Sequence, residues 1–348
     1  MSQNENVMKF LWYLLFLFFC SCSSKEENVQ VINCTHKKLE GYEDYVLGKP
    51  VNMALMDSIL AISDSQTNPM LHLLNIETGS YMGQYISRGQ GPDEFRNIGT
   101  LERFSGDTLF LHDLNKRLCA FFLLPKSNEN DVCWLSKFPC RDFPHNTLLP
   151  LKDGAYIASG IYQEGKFCLM TDSGTTKKFL GVYPSRDKEE EDVPNPIKSQ
   201  AYMGKIAVSP LKDRFVSFGY QADMLSFYKY EKGEILLVKE IQNSFPDYDY
   251  GKDIKEYMGV KRSNPINYLN ACATENFVYL LYSGKSYEKD KLKAFMSNKI
   301  YVYNWNGEKV KTLSLDVEVN EMVVSENDRT MYAIANLPNP MVVKIELQ

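Results

Sequence analysis

Four histidines, eight cysteines and a few clusters of charge are the residues of this chain with chemistry to offer. His36, His72, His112 and His145 stand far apart, without the His-x-x-x-His spacing that sets two imidazoles on one metal. His72 and His112 fall inside apolar runs, where packed or hydrogen-bonded rings are expected. No Cys-x-x-Cys occurs and no metal site is read. Cys133 and Cys140 are the only close pair beyond the N-terminus, and a bridge between them stands beside single buried thiols as the two expectations. A Gly-x-Ser-x-Gly elbow is absent, so a serine hydrolase of that type has no support. Gly89-Gln90-Gly91 invites a phosphate cradle, but neither the Lys-Ser/Thr of a P-loop nor a third glycine opening a helix follows. Its glycines fit a tight turn instead. Lys188 to Asp192 (KEEED) lacks the spacing of a calcium loop and is read as a solvated surface loop. Asp247-Tyr248-Asp249-Tyr250 alternates carboxylates with phenols, which suits sugar or cation binding but also an ordinary connector. Arg88, Asp93 and Glu94, with Lys261 and Arg262, are charged loop residues expected to line a ligand-binding face. No catalytic residue and no cofactor is read.

The first thirty residues carry chemistry of another kind. Lys9 precedes an unbroken apolar run, Phe10 to Phe19, followed by Cys20-Ser21-Cys22 and the polar Ser23-Ser24-Lys25-Glu26-Glu27. A basic residue, a short apolar helix and a small-residue cleavage site make a secretory signal. Ten helical residues span about 15 Å, half of a bilayer core of about 30 Å. The run resembles a bacterial lipobox, which implies lipidation of Cys22 and cleavage before it. Cys20 is the other candidate, but Phe19 would then stand where a small residue is needed. Residues 1–21 are therefore read as the signal peptide and 22–27 as a lipidated polar leader. Glu5 is out of place in a basic signal head, so Met8 is a plausible start. Ser-Ser-Lys-Glu-Glu resembles the Lys-acidic-acidic tag of surface-exposed outer-membrane lipoproteins.

A net charge of −5 and a pI near 5.6 speak against a nucleic-acid partner. The 22 tyrosines and 19 phenylalanines favour strands. Past Gly41 the chain reads as short strands broken by turn residues. Five groups of four follow one another: residues 51–86, 99–138, 147–183, 204–241 and 267–315. A last group, 321–347, has only three. Four short strands per unit is the signature of propeller blades. Asn28 to Cys34 alternates with period two and is expected to supply the missing strand, closing the ring and removing a sheet edge. Six blades take about 54 residues each, long enough to admit insertions. The longest are expected at 185–199 and 246–265.

Here the residues carry a resemblance. Arg88-Gly89-Gln90-Gly91-Pro92-Asp93-Glu94-Phe95 is similar to the Gly-x-Gly-Pro-x-Glu-Phe segment of TolB-like six-bladed propeller lipoproteins. Tyr279 to Gly284 (YLLYSG) and Ile300 to Leu315 (IYVYNWNGEKVKTLSL) resemble strands of the same family. The resemblance implies an all-β, six-bladed propeller over residues 28–348; in such a ring the glycine loop is read as a tight turn between blades that Phe95 anchors in an inter-blade groove. Two functions remain open. One is a non-catalytic binding platform for a protein, peptide or glycan, held on the outer membrane by lipid on Cys22. The other is an extracytoplasmic lyase or hydrolase with its site at the channel mouth. Fold alone does not separate them.

Overall fold

A computed structural model describes residues 29–41, 46–125, 133–140, 142–171, 173–250, 258–336 and 338–347. The signal segment, Cys22, the leader and Asn28 lie outside the described residues.

The turn residues cut the chain into short antiparallel strands. After β1 (Val31–Cys34) and β2 (His36–Lys38), blade one comprises β3 (Pro50–Met56), β4 (Ile59–Asp64), β5 (Leu71–Asn75) and β6 (Ser80–Tyr85). Blade two is β7 (Thr100–Ser105), β8 (Thr108–Asp113), β9 (Leu118–Leu123) and β10 (Cys133–Pro139). Blade three is β11 (His145–Pro150), β12 (Tyr156–Gly160), β13 (Phe167–Met170) and β14 (Thr176–Leu180). Helices α1 (Lys188–Glu191) and α2 (Asn195–Ala201) then precede blade four: β15 (Gly204–Val208), β16 (Arg214–Gly219), β17 (Asp223–Glu231) and β18 (Glu234–Ser244). A hairpin of β19 (Tyr248–Tyr250) and β20 (Met258–Val260) leads into β21 (Pro265–Ala273) and β22 (Phe277–Ser286). Helix α3 (Tyr287–Asp290), β23 (Ser297–Asn304), β24 (Lys309–Val324), β25 (Thr330–Asn336) and β26 (Pro340–Glu346) complete the chain.

Four of the blades are separate four-stranded sheets, while β1, β2 and β21–β26 form one sheet of eight. That sheet is two blades sharing a strand. The first part of β24 ladders with β23 as the outer strand of blade five, and Val319–Val324 ladder with β25 as the inner strand of blade six. The described residues thus hold six blades. Six apolar clusters lie at the blade junctions. Leu71, Leu73, Leu109 and Phe122 sit between blades one and two, for example, and Leu60, Ile62, Ile334 and Val342 between six and one. Six blades with six packed junctions make a closed ring, its core distributed between the sheets.

The N-terminal chain closes this ring in the C-terminal blade, but through a later segment than the alternation suggests. β2 pairs antiparallel with β26, His36 to Ile345 and Lys38 to Val343, and is the fourth strand of blade six. The alternating segment forms β1, which pairs in parallel with Thr312–Leu315 on the outer strand of blade five. Polar β2 is defined by the backbone it meets.

Two buried aspartates tie strand ends to connectors in the same way. Asp64 accepts from the backbone N–H groups of Gly48, Lys49 and Gln66 at 2.6, 2.9 and 2.8 Å. Asp113 repeats this one blade on, with Arg96, Asn115 and Lys116 at 2.6, 2.9 and 3.0 Å. A carboxylate holding three backbone donors fixes both the turn and the segment entering the blade.

The KEEED segment is not a solvated loop. Its first four residues fold as α1, and Glu190 is only 2% exposed. The reason is non-local, because Tyr202 and Tyr248 both donate their hydroxyls to Glu190 Oε1, at 2.8 and 2.6 Å.

Candidate functional site

The inner strands β3, β7, β11, β15, β21 and the second part of β24 surround a central cavity of about 580 Å³. Every blade contributes to its wall, including Asn52, Glu102, Asn146, Lys205, Asn270 and Glu321. A second cavity of about 310 Å³ is lined by Asn52, Ser63, Arg88, Asn97 and Lys205 among others. Lys205 borders both.

Two carboxyls in the wall are displaced toward neutrality. Burial pushes Glu321 up to about 7, with the charge of Lys205 opposing. Its Oε2 accepts from Asn270 Nδ2 at 2.6 Å. Burial likewise pushes Glu102 up to about 7, against the Lys212 charge and the backbone N–H of Arg103. Lys212 is itself drawn below its ordinary value by burial; it caps the Phe104 carbonyl and lies 4.4 Å over the Phe104 ring. Beside these residues, Arg103 of β7 joins Glu326 and reaches Asp57 at 3.5 Å, tying the inner strand of blade two to turns of blades six and one.

Not every polar atom here is spent within the protein. The side-chain oxygens of Asn97 and Asn270 are buried without a protein donor. Asn97 lines the smaller cavity and Asn270 the larger. Buried acceptors without partners are costly, and at a cavity wall they can receive donors from a ligand.

Glu321 also supplies a test of pH dependence. An acid whose pKa rises from 4.5 to about 7 on folding binds its proton more tightly in the folded state. Its contribution is therefore fully present below about pH 4.5 and is lost as pH climbs through about 7. Glu321→Gln should flatten the fall in stability between pH 5 and 8 and raise stability at pH 8 by up to about 3 kcal/mol. Urea titrations across that range measure it, and an unchanged pH profile would remove the buried charge as its source.

Of the five charged residues singled out in the sequence, Arg88 lines the smaller of these two cavities. It donates to the carbonyls of Arg96 and Ser65 at 3.0 and 2.8 Å. Asp93 pairs with Lys137 on the outer strand of blade two. Glu94 turns inward to accept from the Gly91 N–H at 2.7 Å. Lys261 pairs with Asp247 at 2.9 Å, and Arg262 stacks over Tyr287 at 5.8 Å. What the five share is a side of the ring. All lie on connectors from an outer strand to the next inner strand, and regular alternation brings such connectors out on one face.

The glycine loop encloses its own anion. A Cβ on Gly89 would meet Glu94 Oε2 at 1.9 Å, so the carboxylate sits where a phosphate would need to approach. Phe95 is fully buried and stacks on Trp134 at 5.3 Å, anchoring the loop at the junction of blades one and two. Asp247 and Tyr248 are likewise occupied, by Lys261 and Glu190.

A family profile described as TolB-like 6-blade propeller-like matches residues 24–327. The chain belongs to this TolB-like family. Among solved structures, the propeller resembles a Bacteroides fragilis protein assigned as exported. The identity is 13%, the TM-score 0.53, and the match covers 92% of this chain and all of the other. It also resembles Raptor of Chaetomium thermophilum, at 10% identity and a TM-score of 0.51, over 92% of this chain and 29% of that one. Both likenesses are of fold. No curated protein matches the sequence. The described residues of this TolB-like propeller contain no helix long and apolar enough to cross a membrane, and no three-residue cluster of His, Cys, Asp or Glu disposed to hold a metal.

Sequence reasoning passed over Glu102 and Glu321. Their signal was present but weak: an acidic residue within an inner strand, beside Leu101 and Phe104 for Glu102 and before Met322 and Val323 for Glu321. The cysteine expectation is also revised. Cys133 and Cys140 bracket the extended strand β10, which at about 3.3 Å per residue separates them by roughly 20 Å. A bridge needs Cα atoms within about 7 Å. Cys140 instead faces Cys119, with sulfurs 3.8 Å apart.

Proposed function

We propose that this TolB-like propeller is exported, acylated on Cys22 and held on the outer membrane as a non-catalytic binding protein. It would take a polar segment, peptide or glycan, of an envelope partner at its central cavities. The observation that carries the binding reading is the lining of the two cavities, where the unpartnered oxygen of Asn97 shares a wall with Arg88 and Lys205 and that of Asn270 shares one with Lys205. Such a wall matches hydroxyl or amide donors together with an anionic group. Export and lipidation rest on the N-terminal sequence alone, and the Lys25-Glu26-Glu27 tag supports placement on the cell surface.

Glu102 and Glu321 favour a second reading. Carboxyls near pKa 7 suit general acid–base chemistry, as a lyase or hydrolase would require. The two readings part on substitution. A binding wall loses affinity with Lys205→Ala, Arg88→Ala or Asn270→Ala and turns over no ligand. An enzyme converts its ligand and loses that conversion with Glu321→Gln.

The test is a screen of the detergent-solubilised lipoprotein on peptide and glycan arrays, with hits re-measured on the cavity variants. Losing one charged hydrogen bond costs about 1.5–3 kcal/mol, so Lys205→Ala should weaken a true hit by roughly 10-fold or more. Hits that bind all the variants equally would move the site elsewhere. For the anchor, Cys22→Ala should abolish palmitate labelling and release the protein from membranes. Continued labelling of that variant would exclude Cys22 as the lipid site.

A further inference from the structure

Between blades two and three lies a cluster of buried groups that the binding site does not use. Cys119 stands on β9 directly across the ladder from His112 on β8. Cys140 lies just past β10, where its backbone N–H donates to Arg117 O at 2.9 Å. Both cysteines are fully buried, and the Cys119 thiol donates to Cys140 Sγ at 3.8 Å. That hydrogen bond and the nearby His112 hold the Cys140 thiol below its ordinary value, while burial and Cys140 push Cys119 up. His145 closes the group, its ring centroid 6.5 Å from that of His112 and its Nδ1 2.5 Å from the Tyr162 hydroxyl.

The other described cysteines are placed differently. Cys133 is exposed at the far end of β10. Cys272 accepts from the Val324 N–H at 3.2 Å, Cys168 is directed at Thr176, and Cys34 packs between blades five and six.

We propose that Cys119 and Cys140 form an intramolecular disulfide, pinning the connector that leaves blade two to the sheet it has just left. Sulfurs 3.8 Å apart must approach to about 2.05 Å. The movement falls on the Cys140 side chain, which lies beyond the last residue of β10 while its backbone N–H stays on Arg117 O. For its oxidant the bond rests on the export reading, since such bonds persist outside the cytosol.

The chemistry balances as thiol–disulfide exchange with a disulfide donor, either an oxidoreductase or a small-molecule disulfide. The Cys140 thiolate attacks one donor sulfur and the other leaves as a thiolate, which takes the proton from Cys119. The Cys119 thiolate then attacks Cys140 Sγ in the mixed disulfide and expels the second donor thiolate. Two thiols are oxidised and one disulfide is reduced. Because both thiols are buried in the finished ring, exchange belongs to the stage before blade three covers β9.

Two preparations of the full chain test this. In one, protein isolated from envelopes is alkylated at once, digested without reductant and mapped by mass spectrometry. In the other, reduced and unfolded protein is refolded in a reduced/oxidised glutathione buffer and mapped in the same way. A Cys119–Cys140 peptide in both, about 2 Da lighter than the dithiol pair, is the expected result. The same peptide in the refolded sample alone supports the pairing and counts against export. Cys140 bridged to any other cysteine, or both thiols alkylated after refolding, overturns the proposal. So does stoichiometric zinc whose removal by a chelator exposes both thiols.

Discussion

Starting the chain at Glu40 should abolish cooperative folding or lower the melting temperature by about 10 °C or more, whereas starting at Thr35 should cost only a few degrees. The two truncations differ by β2 and Leu39. β2 supplies the fourth strand of blade six, and without it β26 becomes an open edge. Open edges template pairing with other chains, so the shorter protein should also aggregate. Leu39 is 7% exposed and packs with Leu47, Leu60, Ile334 and Val342 at the seam between blades six and one. Removing such a leucine side chain costs about 2–5 kcal/mol, and the lost ladder adds to it. At about 2–4 °C per kcal/mol for large domains, the sum reaches the stated drop. β1 contributes less, since Val31 is 61% exposed and Cys34 is its buried anchor. Differential scanning calorimetry of both truncations decides the matter. Equal losses would mean that β1, and not β2, holds the ring.

The blades were legible because their signals are local. Gly, Asp and Asn at turn positions, such as Ser105-Gly106-Asp107 and Asn306-Gly307, break apolar runs of strand length. The closing strand was not, because His36-Lys37-Lys38 buries little and takes its register from Val343 to Ile345. Residues 310–315 and 321–325 read as separate strands, yet Asp316 to Asn320 holds no glycine or proline to stop the first, and β24 runs through both blades. The candidate site follows the same rule. Arg88 was visible as a charged loop residue. Glu102 and Glu321 become notable only when six inner strands meet around one cavity, an arrangement spread over the entire chain. Cys119 and Cys140 are separated by strand β10 and by the residues before it, and the fold of blade two alone brings their sulfurs together.

Glu190→Ala should destabilise the protein by about 3–5 kcal/mol, although its sequence neighbours Glu189 and Glu191 are exposed. Three donors converge on this one carboxylate: the Tyr202 and Tyr248 hydroxyls on Oε1 and the Arg186 backbone N–H on Oε2. A hydrogen bond to a charged group contributes about 1.5–3 kcal/mol, and a buried donor left unsatisfied costs about 1–3. Water entering the space left by the carboxylate offsets part of that sum. The loss should be felt beyond α1, because Tyr202 follows α2 and Tyr248 begins the hairpin that leads to blade five. α2, through Ile197 and Ala201, and the hairpin, through Tyr248, share one apolar cluster with Tyr183, Val193 and Met224. Hydrogen exchange should therefore quicken in the insertion and the hairpin together, with the inner strands unaffected. Glu190→Gln keeps an acceptor of the same size and should lose about half as much, while exposed Glu189→Ala should stay within about 0.5 kcal/mol. Urea unfolding of the three variants separates the cases. If Glu190→Ala behaves like Glu189→Ala, the carboxylate does not hold the insertion to the ring, and its tyrosine partners must be held by packing alone.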